Sequence, residues 1–161
     1  MANEFYSVNH NPLLGVYKIN LFNSQMECES IQLHYIFFVY PFLNDNRFLE
    51  YIEIHCRTKE IYKLISNYII KEYGKEFYSD YRRKYEMLRG ECLESIILGL
   101  QLNIFEMTEI GIKNKEHLSK NSYGIGTELN KKILKLGQLF KEVSITNVMN
   151  MLKIGEINDK N

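Results

Sequence analysis

The chain has 161 residues, 45% apolar and 25% charged, with twenty basic and twenty acidic side chains in balance. That length is one ordinary domain with a sizeable core, and the composition is average for a globular protein, which excludes wholesale disorder. No run approaches about 18 consecutive apolar residues, so no membrane-spanning helix is expected, and residues 1–5 lack the basic start and apolar run of a secretory signal.

Residues 13–22 (LLGVYKINLF) alternate from Val16 onward, with Tyr17, Ile19 and Leu21 on one face and Lys18 and Asn20 on the other. A period of two predicts a strand. Residues 31–43 (IQLHYIFFVYPFL) are the most apolar stretch. Leu33, Tyr35, Phe37 and Val39 face one way, Ile36 and Phe38 the other, and Pro41 marks the exit of a buried strand. After an Asn44-Asp45-Asn46 turn, residues 49–57 alternate again, with Ile52, Ile54 and Cys56 inward and Tyr51, Glu53, His55 and Arg57 outward. Short connections make these three segments an antiparallel meander.

Then the period changes. Thr58 is the expected N-cap of a helix carrying Ile61, Leu64, Ile65, Tyr68 and Ile69 on one stripe, with Gly74 as its stop. A second helix carries Phe77, Tyr81, Tyr85 and Leu88, and leaves Arg82-Arg83-Lys84 on its solvated side. Residues 92–112 fit both periods; a helix to about Asn103 and a short strand over 106–112 are expected. A polar loop over 113–126 follows. Thr127 is the expected cap of a helix with Leu129, Ile133, Leu136 and Phe140 inward, and Ser144 caps a last short helix through Leu152. The expected fold is a single α+β domain over residues 1–155 with a frayed tail at 156–161. An N-terminal antiparallel sheet of three or four strands is packed by four or five mostly C-terminal helices, on the face lined by Tyr17, Ile19, Leu33, Phe37, Ile52 and Ile54.

Few residues point to chemistry. Cys28, Cys56 and Cys92 are odd in number, widely spaced and without a CxxC pair, which fits reduced thiols in a cytoplasmic protein. No dense metal motif occurs, and on a strand His55 and Cys56 point to opposite faces, so neither a metal nor a cofactor is expected. Gly124-Ile125-Gly126 precedes a helix but lacks the lysine of a phosphate loop and the third glycine of a dinucleotide fingerprint. His10 and His117 fall in expected loops. A hairpin register would set His34 beside His55 with Lys18 nearby, a pair able to run metal-independent acid–base cleavage of RNA.

Two further surfaces bear on partners. Arg82, Arg83 and Lys84 with interleaved tyrosines, together with Lys131 and Lys132 in the lysine-rich 113–141 segment, could contact phosphates and bases. Residues 1–80 carry seven basic and ten acidic side chains, and twelve tyrosines are spread along a chain without tryptophan. Tyrosine is enriched at protein interfaces, and carboxylates complement a positive site. Glu27, Glu29, Asp45, Glu50, Tyr51 and Glu53 are therefore the expected binding residues of a cytoplasmic inhibitor of the immunity or antitoxin type. Its expected partner is one basic protein such as a toxin or nuclease, with no membrane involved; a ribonuclease-like hydrolase or a nucleic-acid-binding regulator is the alternative.

Overall fold

Asn11-Pro12 starts a helix. The Asn11 side chain accepts the Leu13 N–H at 3.0 Å, and Pro12 occupies the first turn, where a missing N–H costs nothing. In this computed structural model the described residues are 11–55, 61–73, 77–116, 118, 126–141, 143, 144, 146, 147 and 150, with the backbone alone at 69, 70, 72, 73 and 77–81. Helix α1 (Pro12–Asn23) runs through the middle of the protein. Every residue from Gly15 to Asn23 is buried, against helices from later in the chain and one strand.

The expected N-terminal sheet is thus overturned, because each of its three segments is mostly helical among the described residues. After α1 come α2 (Leu33–Leu43) and α3 (Asn46–His55). The alternation in 13–22 and 31–43 misleads for a physical reason. A helix covered on every side needs apolar residues all round, so neither period stands out. The β-branched and aromatic residues that favour strands are then overridden by tertiary packing.

Pro41 sits buried within the last turn of α2 and does not end a strand. The helix stops two residues later, where the Asn44 side-chain amide donates to the Tyr40 carbonyl at 3.0 Å. Asp45 then caps α3, accepting the Phe48 N–H at 3.1 Å. The Asn44–Asn46 turn is real, but it joins two helices.

Helix α4 (Ile61–Tyr73) buries Ile61, Leu64, Ile65 and Tyr68 of the stripe its spacing predicts, while the side chain of Ile69 lies outside those described. Thr58 and Gly74, its expected cap and stop, lie outside the described residues. Where two helices were expected, α5 (Phe77–Gln101) is one continuous helix of 25 residues, about 37 Å long. Asn103, at φ 62°, turns the chain out of it, and the Ile104 N–H closes on the Gly99 carbonyl at 2.9 Å. The expected end near Asn103 is therefore close to the observed one.

Strand β1 (Phe105–Met107) pairs antiparallel with β2 (Ile112–Asn114), Met107 opposite Ile112. This hairpin, not one strand over 106–112, follows α5, and it is the sheet present among the described residues. Ile31 joins its edge through two backbone bonds to Ile112, of 2.8 and 2.9 Å. Gly111 makes room for this, since a Cβ there would run into the Ile31 carbonyl. Helix α6 (Thr127–Phe140) is capped at Gly126, with Thr127 its first residue. Ile133, Leu136 and Phe140 are inward as expected, and Leu129 is half-buried. Residues 145, 148, 149 and 151–161, which hold most of the expected last helix and the tail, lie outside the described residues.

The core is aromatic. Phe42 packs on Phe48 with ring centroids 4.8 Å apart, and Phe48 on Tyr68 at 5.0 Å. Phe22 and Tyr35 meet Phe140 edge-on at 6.0 and 6.4 Å. Such tilted and edge-on pairs add to the area they bury.

Candidate functional site

Three arrangements on this frame could carry function. The first is a buried polar cluster. Lys18, 6% exposed, points its ammonium at the Asn44 side chain at 2.7 Å. Burial lowers its pKa to about 8 against the opposing pull of the Glu91 carboxylate. Tyr40 donates to Glu91 Oε1 at 3.2 Å and lies 3.3 Å from Ser95 Oγ, which donates to the Glu91 carbonyl at 2.9 Å. Burial raises the Tyr40 hydroxyl and the neighbouring Cys92 thiol above their usual ranges. Gly15 lets the helices meet, because a Cβ would lie 2.6 Å from the Tyr40 oxygen and closer to Ser95. Asp45 extends the cluster to α4 and α5 through the Tyr68 hydroxyl at 3.2 Å and the Lys84 ammonium at 3.8 Å. Polar groups this deep register helices against one another. Lys18 is therefore not on an open face with His34 and His55.

The second arrangement is a polar cleft at the C-terminal end of α1. Its volume is about 310 Å³, and Asn23, Cys28, Glu29, Lys113 and Asn114 are among the residues lining it. Asn23 is buried; its amide nitrogen donates to Asn114 Oδ1 at 3.4 Å, while its Oδ1 has no hydrogen-bond partner among the described residues. Asn114 in turn donates to the Asn20 carbonyl at 2.9 Å, and Asn20 accepts the Leu118 N–H at 3.1 Å. These amides pin β2 and the residues after it to α1.

The third arrangement is the outer side of α5. Its core side carries Cys92, Ser95, Ile96 and Gly99, yet Met87, Leu93 and Ile97 point out. Leu102 just after the helix, and Met107 and Ile110 in the hairpin, are exposed as well, and all six are between 45 and 65% exposed. Gly90 has nothing within 4 Å of its Cβ position, so space is open beside it. Glu94, Glu106 and Glu109 are exposed on the same segment. Between Gly90 and Ile112 there is no lysine, arginine or histidine.

Comparison with protein-family models, with curated proteins and with solved structures finds no match to this chain.

The residues expected to bind a partner do not form one patch. Glu27 is exposed and paired with Lys141, which holds its carboxyl below the usual range by a hydrogen bond. Glu29 lines the cleft. Asp45 is the half-buried cap of α3. Glu50 and Glu53, on the outer side of α3, meet Lys132 of α6 at 4.0 and 3.5 Å. Tyr51 is half-buried, its ring 4.4 Å from His55 and 5.4 Å from Tyr68. Lys132 and Lys141 stand nine positions apart, roughly 13 Å along a helix axis, so the acids they meet are correspondingly spread.

His34 lies in the first turn of α2 and His55 ends α3, both exposed. With both segments helical, the hairpin register that would pair them does not exist. Arg82, Arg83 and Lys84 are exposed on α5, Arg82 with Glu86 at 3.2 Å. Lys131 is exposed on α6 beside the half-buried Lys132, so the two basic groups sit on separate helices. Tyr78 and Tyr81 fall among the undescribed side chains, while Tyr85 is half-buried. His10, His117, Cys56, Arg57 and Gly124 lie outside the described residues. Among the described residues no group of three or more histidine, cysteine or carboxylate side chains comes together as for a metal ion, and no helix is long and apolar enough to cross a membrane.

The outer α5 surface is what sequence reasoning missed. Its signal was present in the failure of 92–112 to choose a period. A helix that is apolar inside and half apolar outside fits two templates at once.

Proposed function

We propose that the chain is a protein-binding inhibitor of the immunity or antitoxin type, acting in the cytoplasm on a basic toxic or enzymatic partner. The observation that carries this is the outer surface of α5 and its hairpin. Six half-exposed apolar side chains fall within residues 87–110 there, and exposed apolar side chains that gather on one face mark an interaction site. Exposed Glu94 and Glu109 give that surface its sign, while Glu106 is paired with Lys113 at 3.4 Å. Apolar contact then supplies affinity, and the carboxylates steer a positively charged partner into register. The expected acidic residues of α3 have a smaller part, since Lys132 already meets Glu50 and Glu53. Glu29 remains a candidate contact at the cleft.

Affinity capture at moderate salt tests the proposal, with the wild-type chain beside a Leu93→Asp, Ile97→Asp variant. Both changes are at exposed positions and leave the helical circular dichroism intact. The wild type retains one stoichiometric basic protein whose activity falls on binding, and the variant loses it. Equal capture by the two, or no protein partner on either, contradicts the proposal.

A further inference from the structure

Gly90 stands in the middle of α5, on its solvent side. Glycine is a poorer helix former than alanine, and a Cβ at this position would meet nothing within 4 Å. Packing within the chain therefore gives no reason for a glycine here. The residues around it on the helix surface do. Arg83, Met87, Gly90, Glu94 and Ile97 follow one another at steps of four, three, four and three, and all five are exposed. That spacing places them on one face, the arrangement by which two helices pack side by side. Leu93 lies at its margin, also exposed.

This face is its own complement when reversed. Arg83 lies four residues before Met87, and Glu94 lies four residues after Gly90. Against an antiparallel copy, the register that sets each Met87 beside the other chain's Gly90 also sets each Arg83 opposite the other chain's Glu94. Glu86, on the same side, is turned to Arg82 at 3.2 Å. We infer that the outer face of α5 pairs with the same face of a second copy, the two helices antiparallel and crossing at Met87 and Gly90. The interface is isologous, so each contact is made twice. The unbranched methionine fills the space that the glycine leaves, and the two arginine–carboxylate pairs fix direction and register. Leu93 and Ile97 lose their exposure beside the crossing. A second copy seated here must leave before another protein enters. Pairing thus regulates the partner site proposed above, and in that respect it rests on that reading.

Sedimentation of the chain alone across a concentration series tests the pairing. The wild type passes from one chain to two as concentration rises. Gly90→Gln puts a side chain where the other copy's Met87 belongs, and raises the dimer dissociation constant by about tenfold or more. Glutamine is a good helix former and the position is open. The helical circular dichroism and thermal midpoint of this variant therefore hold or rise, which separates lost pairing from lost folding. Arg83→Glu and Glu94→Arg each weaken pairing, and a chain carrying both recovers it. A wild type that stays monomeric throughout overturns the inference. So does a Gly90→Gln chain that pairs as the wild type does, or a charge exchange that fails to recover pairing. Partner capture is scored separately. Pairing without capture removes the function and leaves the dimer, whereas capture by a chain that is monomeric throughout removes the dimer and leaves the function.

Discussion

Replacing Lys18 by methionine isolates the cost of a cation placed inside a helical core. The ordinary lysine value is 10.5, and burial lowers it to about 8 here. A depressed lysine pKa means that the unfolded chain binds the proton more tightly, so protonation below pH 8 works against folding in full. Stability therefore rises with pH between about 8 and 10.5 and is flat outside that window. Integrating the two titrations gives roughly 2–3 kcal/mol of gain between pH 7 and 10 from this one group. Tyr40 and Cys92 act oppositely: burial raises both, and their contribution falls once the unfolded groups begin to ionise. They are present in both proteins and cancel in the difference. Lys18→Met also leaves Asn44 Oδ1 without its 2.7 Å donor, a cost that does not depend on pH. Urea unfolding of both proteins at pH 7, 8, 9 and 10 measures the difference. The advantage of methionine over lysine should shrink by roughly 2–3 kcal/mol across the series. Parallel stability curves would refute the buried-cation argument.

Other substitutions test other contacts. Gly15→Ala drives a Cβ into Ser95 and Tyr40, which should cost about 1–3 kcal/mol in thermal or urea unfolding, and a wild-type midpoint would show that α1 and α5 are not so close. Asp45→Ala removes the cap on Phe48 and the acceptor of Tyr68, a loss of about 1–2 kcal/mol; the same denaturation experiment checks it. Gly111→Ala meets the Ile31 carbonyl, so amide exchange at Ile31 and Ile112 should speed up as their mutual bonds break, and unchanged exchange would contradict the bridge. His34→Ala with His55→Ala, both at exposed helix ends, should leave partner capture unchanged, and ribonuclease turnover abolished by that pair would revive the hydrolase alternative.

The later elements were legible because each buries one side only. α4 and α6 show apolar residues at helical spacing against polar ones, and the structure puts Ile61, Leu64, Ile65, Ile133, Leu136 and Phe140 inside. The first three elements were read as strands because two of them are covered nearly all round. In α1 even Lys18, Asn20 and Asn23 are buried, so their polar character marks internal hydrogen bonds and not a solvent face. Asn11-Pro12, an N-cap followed by a proline at the first helical position, is the local sign of a helix that the alternation masks. The site suffered in the same way. Asp45 looked like a surface carboxylate but caps a helix, and the His34–His55 pair depended on a strand register. Glu94 and Glu109, the exposed acids beside the proposed surface, lie in the stretch that fits both the helical and the strand period.

Amide hydrogen exchange on the captured complex tests partner binding by the outer α5 surface most directly. Exchange should slow at the exposed turn around Glu109 and Ile110 and along residues 106–113, relative to the free chain. Protection confined to α3 and α6, with the hairpin exchanging as in the free chain, would contradict it.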